Sequence, residues 1–257
     1  RHTRTVYAPL DNLSRVSAIA HAPNNQKCAV VTTDRVVHLL DQHAERRDKF
    51  STKPASANGP KTYAVRGMAW SPDSTKLAVA QSDAIVYVYK LGTEWGDKKS
   101  ICNKFPQSSA VTALVWPTNR PAELVFGTAD GKVKVGQLRS NKPATLYPTS
   151  SYVAALAASA DGSAVVSSHV DGRIYRFRFD EPGQHVELVR HPCVPYALAW
   201  GEAICAAGSD QIVCFYEADS GNVVGRFDYS RDETEKEFTV AAFNPSGETV
   251  VVGSFNR

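Results

Sequence analysis

A unit of about 44 residues recurs six times in this chain, and a repeat of that length means that the fold is built by stacking similar modules. The units are marked by the triplets Ile19-Ala20-His21, Met68-Ala69-Trp70, Leu114-Val115-Trp116, Leu156-Ala157-Ala158, Leu198-Ala199-Trp200 and Ala241-Ala242-Phe243. Their last residues stand 49, 46, 42, 42 and 43 positions apart. A polar turn follows several of the triplets: Ser71-Pro72-Asp73-Ser74, Ser159-Ala160-Asp161-Gly162, Asn244-Pro245-Ser246-Gly247. Pro presets φ, Asp or Asn accepts a local backbone hydrogen bond, and Gly supplies positive φ.

A second run comes next, as in Leu77-Ala78-Val79-Ala80 or Ala203-Ile204-Cys205-Ala206-Ala207. It is apolar on both faces, which suits a strand sandwiched between neighbouring sheets. A second punctuation mark then recurs at Asp34, Asp83, Asp130-Gly131, Asp171-Gly172, Asp210 and Asn256. An Asp or Asn that tolerates positive φ signals a hairpin there. The third strand alternates, as in Ile85-Val86-Tyr87-Val88-Tyr89, and a less regular fourth fits 48–52, 101–105, 145–147, 186–189 and 223–229.

Four antiparallel strands per period describe the blade of a WD-repeat β-propeller, an all-β fold. The blades fall at 15–52, 65–105, 110–148, 152–190 and 195–229, with a partial blade at 238–257 and residues 4–10 as a strand closing the last blade. The expectation is a single propeller domain with about six blades present, seven when complete. Small residues in the first strands (Ala20, Ala69, Ala157, Ala199, Ala242) let blades approach near a common axis, and Trp70, Trp116 and Trp200 fill the gap behind as core. The charged run 231–236 reads as a solvated loop.

Composition narrows the function. Hydrophobic residues at 43% and charged residues at 21% are ordinary for a globular chain. The net charge of +3 from 29 basic and 26 acidic side chains is too even for nucleic-acid binding as the main task. No run of about 18 apolar residues predicts a transmembrane helix. Five cysteines, an odd number without a Cys-x-x-Cys pair, read as free thiols in a reducing compartment.

Catalytic signatures are weak. Gly127-Thr128-Ala129-Asp130-Gly131-Lys132 has three residues between its glycines and no Ser or Thr after Lys132, so it reads as a hairpin rather than a phosphate loop. The histidines lack paired helical spacing for zinc. His191-Pro192-Cys193 is a loop, and adjacency in sequence does not activate a thiol. No catalytic residue, cofactor, metal or small-molecule substrate is therefore assigned. Two mixed-charge stretches carry the contact prediction: Arg46, Arg47 and Lys49 leading into an outer strand, and Trp95, Lys98 and Lys99 between a third strand and a fourth. Trp and Arg anchors dominate protein-contact energies, and the same cations suit an acidic membrane surface.

The loops carry a more specific signal. Glu45-Arg46-Arg47-Asp48-Lys49-Phe50-Ser51-Thr52-Lys53-Pro54, Trp95-Gly96-Asp97-Lys98-Lys99, Ile101-Cys102-Asn103-Lys104-Phe105, Pro195-Tyr196-Ala197-Leu198-Ala199-Trp200 and Phe227-Asp228-Tyr229-Ser230-Arg231-Asp232 resemble the N-terminal propeller of the intraflagellar transport 172 family. The resemblance runs from about residue 30 to 257, more weakly across 117–140. It implies a non-catalytic scaffold in a peripheral subunit of intraflagellar transport complex B, acting in the cilium or flagellum and its basal body. Implied partners are other complex B subunits, including one with a calponin-homology domain. The family's likeness to membrane-coat proteins implies docking on acidic membranes as the alternative, and a propeller enzyme is the remote one.

Overall fold

The computed structural model of this protein describes Thr5 and residues 15–57, 62–231 and 237–254. Among the described residues there are strands and turns and no helix. The first sheet comprises β1 (Val16–His21), β2 (Cys28–Thr32), β3 (Val36–Leu40) and β4 (Arg46–Ser51). The second holds β5 (Val65–Trp70), β6 (Lys76–Gln81), β7 (Ile85–Lys90) and β8 (Ser100–Pro106). The third holds β9 (Val111–Val115), β10 (Glu123–Thr128), β11 (Lys132–Gln137) and β12 (Lys142–Pro148).

The fourth sheet is built from β13 (Val153–Ala158), β14 (Ala164–His169), β15 (Arg173–Arg178) and β16 (His185–Arg190). The fifth has β17 (Ala197–Trp200), β18 (Ile204–Ala207), β19 (Ile212–Tyr216) and β20 (Val223–Asp228). The sixth pairs β21 (Phe238–Phe243) with β22 (Val250–Ser254). Each sheet is an antiparallel meander of consecutive strands, so among the described residues all pairing lies within a repeat and none across repeats. The closing strand expected at 4–10 lies outside the described residues, apart from Thr5, as do Asn256 and residues 232–236 of the charged loop.

Successive sheets touch through their first strands, in the series β1, β5, β9, β13, β17, β21. The two-residue period of a strand explains how one middle strand serves two interfaces. In β6, Leu77 and Val79 pack toward the first sheet with Val31 and Leu39, while Ala78 and Ala80 pack toward the third with Leu124 and Phe126. In β18, Ile204 and Ala206 join Val166 and Ile174 of the fourth sheet, and Cys205 and Ala207 face Phe238 of the sixth. The core is therefore five interleaved layers rather than one centre. Each large aliphatic side chain buried in them contributes about 1.5–3 kcal/mol. Trp70 is 5% exposed, and its indole N–H donates to the Ala20 carbonyl of the first sheet at 2.9 Å, so it ties two blades together.

The turns follow the expected chemistry with one correction. Among the described residues, the aspartate before the third strand is not itself at positive φ; the residue after it is. Arg35, Ala84, Gly131, Gly172 and Gln211 have φ of 68°, 63°, 83°, 83° and 62°. The aspartate instead accepts the amide two residues on, as Asp34 does from Val36 at 3.1 Å and Asp210 from Ile212 at 3.2 Å. A short acceptor that holds the turn leaves the left-handed position to its neighbour. Asp83 is different again and accepts the Ala55 amide at 2.7 Å.

The first turns hold their carboxylates charged. Asp161 accepts from the Ser159 hydroxyl at 2.6 Å, the Ser163 amide at 3.0 Å and the Ser163 hydroxyl at 2.8 Å, in that order lowering its pKa to about 2. At Asp73, burial opposes the charge, but the Ser71 hydroxyl and the Thr75 amide and hydroxyl outweigh it and bring the pKa to about 2. Both values lie below the unfolded reference of about 3.9. Folding stability from these groups is complete above pH about 4 and is lost as pH falls toward about 2. Urea unfolding across that window is expected to show a smaller acid loss in Asp161→Asn than in the parent; equal slopes would rule out this contribution.

Candidate docking surface

The two charged stretches singled out in the sequence meet in space. Arg46, Arg47 and Lys49 lie on β4, the outer strand of the first sheet; Trp95, Lys98 and Lys99 lie on the loop between β7 and β8 of the second. Asp48 joins them. It accepts the Gly96 amide at 3.1 Å and pairs closely with the Lys99 ammonium. Partial burial works against the Asp48 charge, yet Lys99 and the amides of Lys49 and Gly96 hold its pKa below the usual range. Lys27 adds a second clasp: its ammonium donates to the Gly92 and Thr93 carbonyls at 2.8 and 3.1 Å and sits 4.9 Å from the Trp95 ring centre.

These contacts divide the six predicted contact residues. Arg47 bonds Asp41 at 2.6 Å and Glu45 at 2.9 Å, and Lys99 is 14% exposed at its side chain beside Asp48. Trp95, 38% exposed, shares its ring with Lys27. Arg46, Lys49 and Lys98 present exposed side chains at the surface. Sequence reasoning chose the stretches for exposed charge and could not see that Asp48 and Lys99, 51 positions apart, hold them together.

Beside this bracket runs a groove of about 650 Å³, lined by Lys53, Lys98, Lys99 and Lys104 over Tyr87, Tyr89 and Phe50. Among the described residues no carboxylate lines it. Its floor is rigid: the Tyr87 hydroxyl donates to the Pro54 carbonyl at 2.9 Å, the Lys53 amide donates to the Tyr89 hydroxyl at 3.3 Å, and the Phe50 and Tyr89 rings stand 4.8 Å apart. Lys53 and Lys104 were not singled out, although both fall in quoted runs. Their relevance arises only when the chain from 52 to 55 lies against the second sheet.

Two histidines elsewhere are buried and differ in their partners. His169 on β14 is fully satisfied: Nε2 meets the Ser167 hydroxyl at 2.7 Å and Nδ1 meets the Ser151 carbonyl at 2.8 Å. Tyr147 donates to that same Ser167 at 2.8 Å, so the group braces the third sheet against the fourth. His191, in the loop before β17, meets the Tyr216 hydroxyl through Nδ1 at 2.7 Å, while its Nε2 has no hydrogen-bond partner. Asp210 Oδ2 lies 3.8 Å from that nitrogen, and Cys193 joins the two in a cluster whose ligand atoms stand within 4.8 Å of one another. Burial raises the Cys193 pKa, which works against the thiolate form. The sequence reading missed this convergence because Asp210 served there only as a turn marker.

Repeated four-stranded meanders stacked through their first strands define a WD-repeat β-propeller protein. The WD domain, G-beta repeat family matches residues 53–90, which span β5 to β7. Over its full length the chain is homologous to the intraflagellar transport protein 172 family. It is 52% identical over 265 residues to intraflagellar transport protein 172 of Chlamydomonas reinhardtii and 52% over 262 residues to the homolog of Mus musculus. It is 36% identical over 259 residues to intraflagellar transport protein osm-1 of Caenorhabditis elegans. Each match covers 100% of this chain and 15% of the relative, so the chain spans about 15% of the length of these proteins.

Proposed function

We propose that this chain is a non-catalytic docking scaffold of intraflagellar transport, in a subunit of complex B, and that an acidic segment of a partner protein binds the lysine groove. The carrying observation is the groove itself: three exposed lysines, Lys53, Lys98 and Lys104, over a tyrosine floor with no lining carboxylate. A preformed surface costs little ordering on binding, and complementary charge sets partner choice and association rate. The homology supports the transport role, in the cilium or flagellum and its basal body. Other complex B subunits, including one with a calponin-homology domain, are the proposed partners.

The test is retention of purified complex B subunits on the immobilised chain, compared with Lys53→Glu/Lys98→Glu/Lys104→Glu. The triple reversal is expected to reduce retention at least about tenfold at moderate salt. Lys99 is left unchanged because it secures the loop to Asp48. Equal retention by both forms would remove the groove from the interface, and no retention by the parent would remove the docking role. Flotation with phosphatidylserine vesicles, salt-sensitive and lost in the same variant, would reassign the groove to an acidic membrane.

A further inference from the structure

We propose that His191 Nε2, Cys193 Sγ and an Asp210 carboxylate oxygen form a binding site for a thiophilic divalent cation of the zinc class. One ligand atom from each of the three residues lies within 4.8 Å of the other two. They come from two segments: the loop that leads from β16 into β17, and the turn between β18 and β19. His191 has 0% of its side chain exposed, and its Nε2 faces Asp210 Oδ2 at 3.8 Å. That distance is too long for a hydrogen bond, and neither atom has another hydrogen-bond partner. Buried polar atoms left in this way are costly, and two of them aimed at each other beside a thiol call for a partner.

A cation between them supplies it. The Tyr216 hydroxyl oxygen, 2.7 Å from Nδ1, can accept a hydrogen bond from Nδ1–H, the tautomer that leaves the lone pair on Nε2. Metal-bound imidazoles carry such an outer partner on their second nitrogen almost without exception. A neutral imidazole, a thiolate and a carboxylate together balance a 2+ charge, so the occupied site buries no net charge. Binding expels the Cys193 proton to solvent. Sulfur among the donors disfavours magnesium and calcium and favours zinc. Donors around tetrahedral zinc stand about 3.3–3.8 Å apart, so the set needs a contraction of about 1.5 Å at most. The fourth position is left for water or a partner's side chain. His169 makes the contrast: with both ring nitrogens bonded to protein, it has nothing to offer a metal.

Titration of the purified chain with Co2+ reports the site directly. One equivalent is expected to bind, with a thiolate charge-transfer band in the near ultraviolet and the strong visible absorption of four-coordinate cobalt; Zn2+ displaces it. Cys193→Ser, at a half-exposed loop position, removes the charge-transfer band, and Asp210→Asn weakens Zn2+ binding. Tyr216→Phe lowers Zn2+ affinity about 10–100-fold through the outer partner. Cys28→Ser is the control, because the Cys28 sulfur lies 3.6 Å from His21 Nε2 and is the competing Cys–His pair. Circular dichroism of each metal-free variant confirms folding, and Cys193→Ser decides the matter if Tyr216→Phe does not fold. Absence of stoichiometric binding by the parent overturns the proposal. So does a charge-transfer band that survives Cys193→Ser or disappears in Cys28→Ser.

Discussion

Phe126→Ala lowers the unfolding free energy by about 3–5 kcal/mol, the cost of removing a fully enclosed ring. Phe126 on β10 is 0% exposed and stacks on Phe105 of β8, with centroids 6.3 Å apart and planes 25° from parallel. Around it stand Ala78, Ala80, Val86, Val88 and Leu124. The two alanines face it because small side chains let the second and third sheets approach. That is also why the gap cannot refill: an alanine has no side-chain torsion with which to reach into the space. With whole-domain stabilities of about 5–15 kcal/mol, such a loss is a large share of the total. Urea unfolding should show a lowered midpoint with an unchanged slope. Val186→Ala, at a residue 48% exposed on β16, should cost less than about 1 kcal/mol. Equal losses at the two positions would show that the inter-sheet layer is not where stability resides.

The second large effect falls on the neighbouring residue. A methyl group at Gly127 would stand 2.4 Å from Val153 Cγ1 and 2.8 Å from Val153 Cβ, and Val153 opens β13 of the next sheet at 0% exposure. Gly127→Ala must therefore move one sheet against another and is expected to cost about 1–3 kcal/mol as an overpacked core. Val153→Ala removes the methyl that stands nearest and keeps Cβ, so it relieves the collision in part. Alone it destabilises by leaving a void; combined with Gly127→Ala it should recover part of the stability, with a coupling of about 0.5–3 kcal/mol between contacting sites. Simple additivity in the double variant would mean that the sheets do not meet at this point. The same pair explains the glycine of the phosphate-loop-like run: Gly127 is set by the close approach of a strand from the adjacent blade.

The strands were the most legible part of the molecule. The runs Ile85-Val86-Tyr87-Val88-Tyr89 and Leu77-Ala78-Val79-Ala80 identify β7 and β6 as strands from neighbouring residues alone, but the solvent face expected of the first is absent: Tyr87 and Tyr89 are buried between sheets. Turn residues were legible in type and off by one in detail, since the aspartate carboxylate acts on the amide two positions ahead while its successor takes the positive φ. The contact residues were legible as exposed charge and aromatics. That Asp41 holds Arg47 and Asp48 holds Lys99 was not.

By itself, then, the sequence determined the repeat, the strand order within each unit and the direction in which alternate side chains point, because period-two alternation and turn chemistry depend only on residues a few positions apart. Tertiary structure alone decided that Asp48 receives Lys99, that Lys53 and Lys104 share a groove with Lys98, and that His191 and Cys193 converge on Asp210. Each of these joins loops or outer strands whose separation follows no period. Their meeting is set by how neighbouring sheets and turns pack together, a property of the assembled layers that no local pattern records.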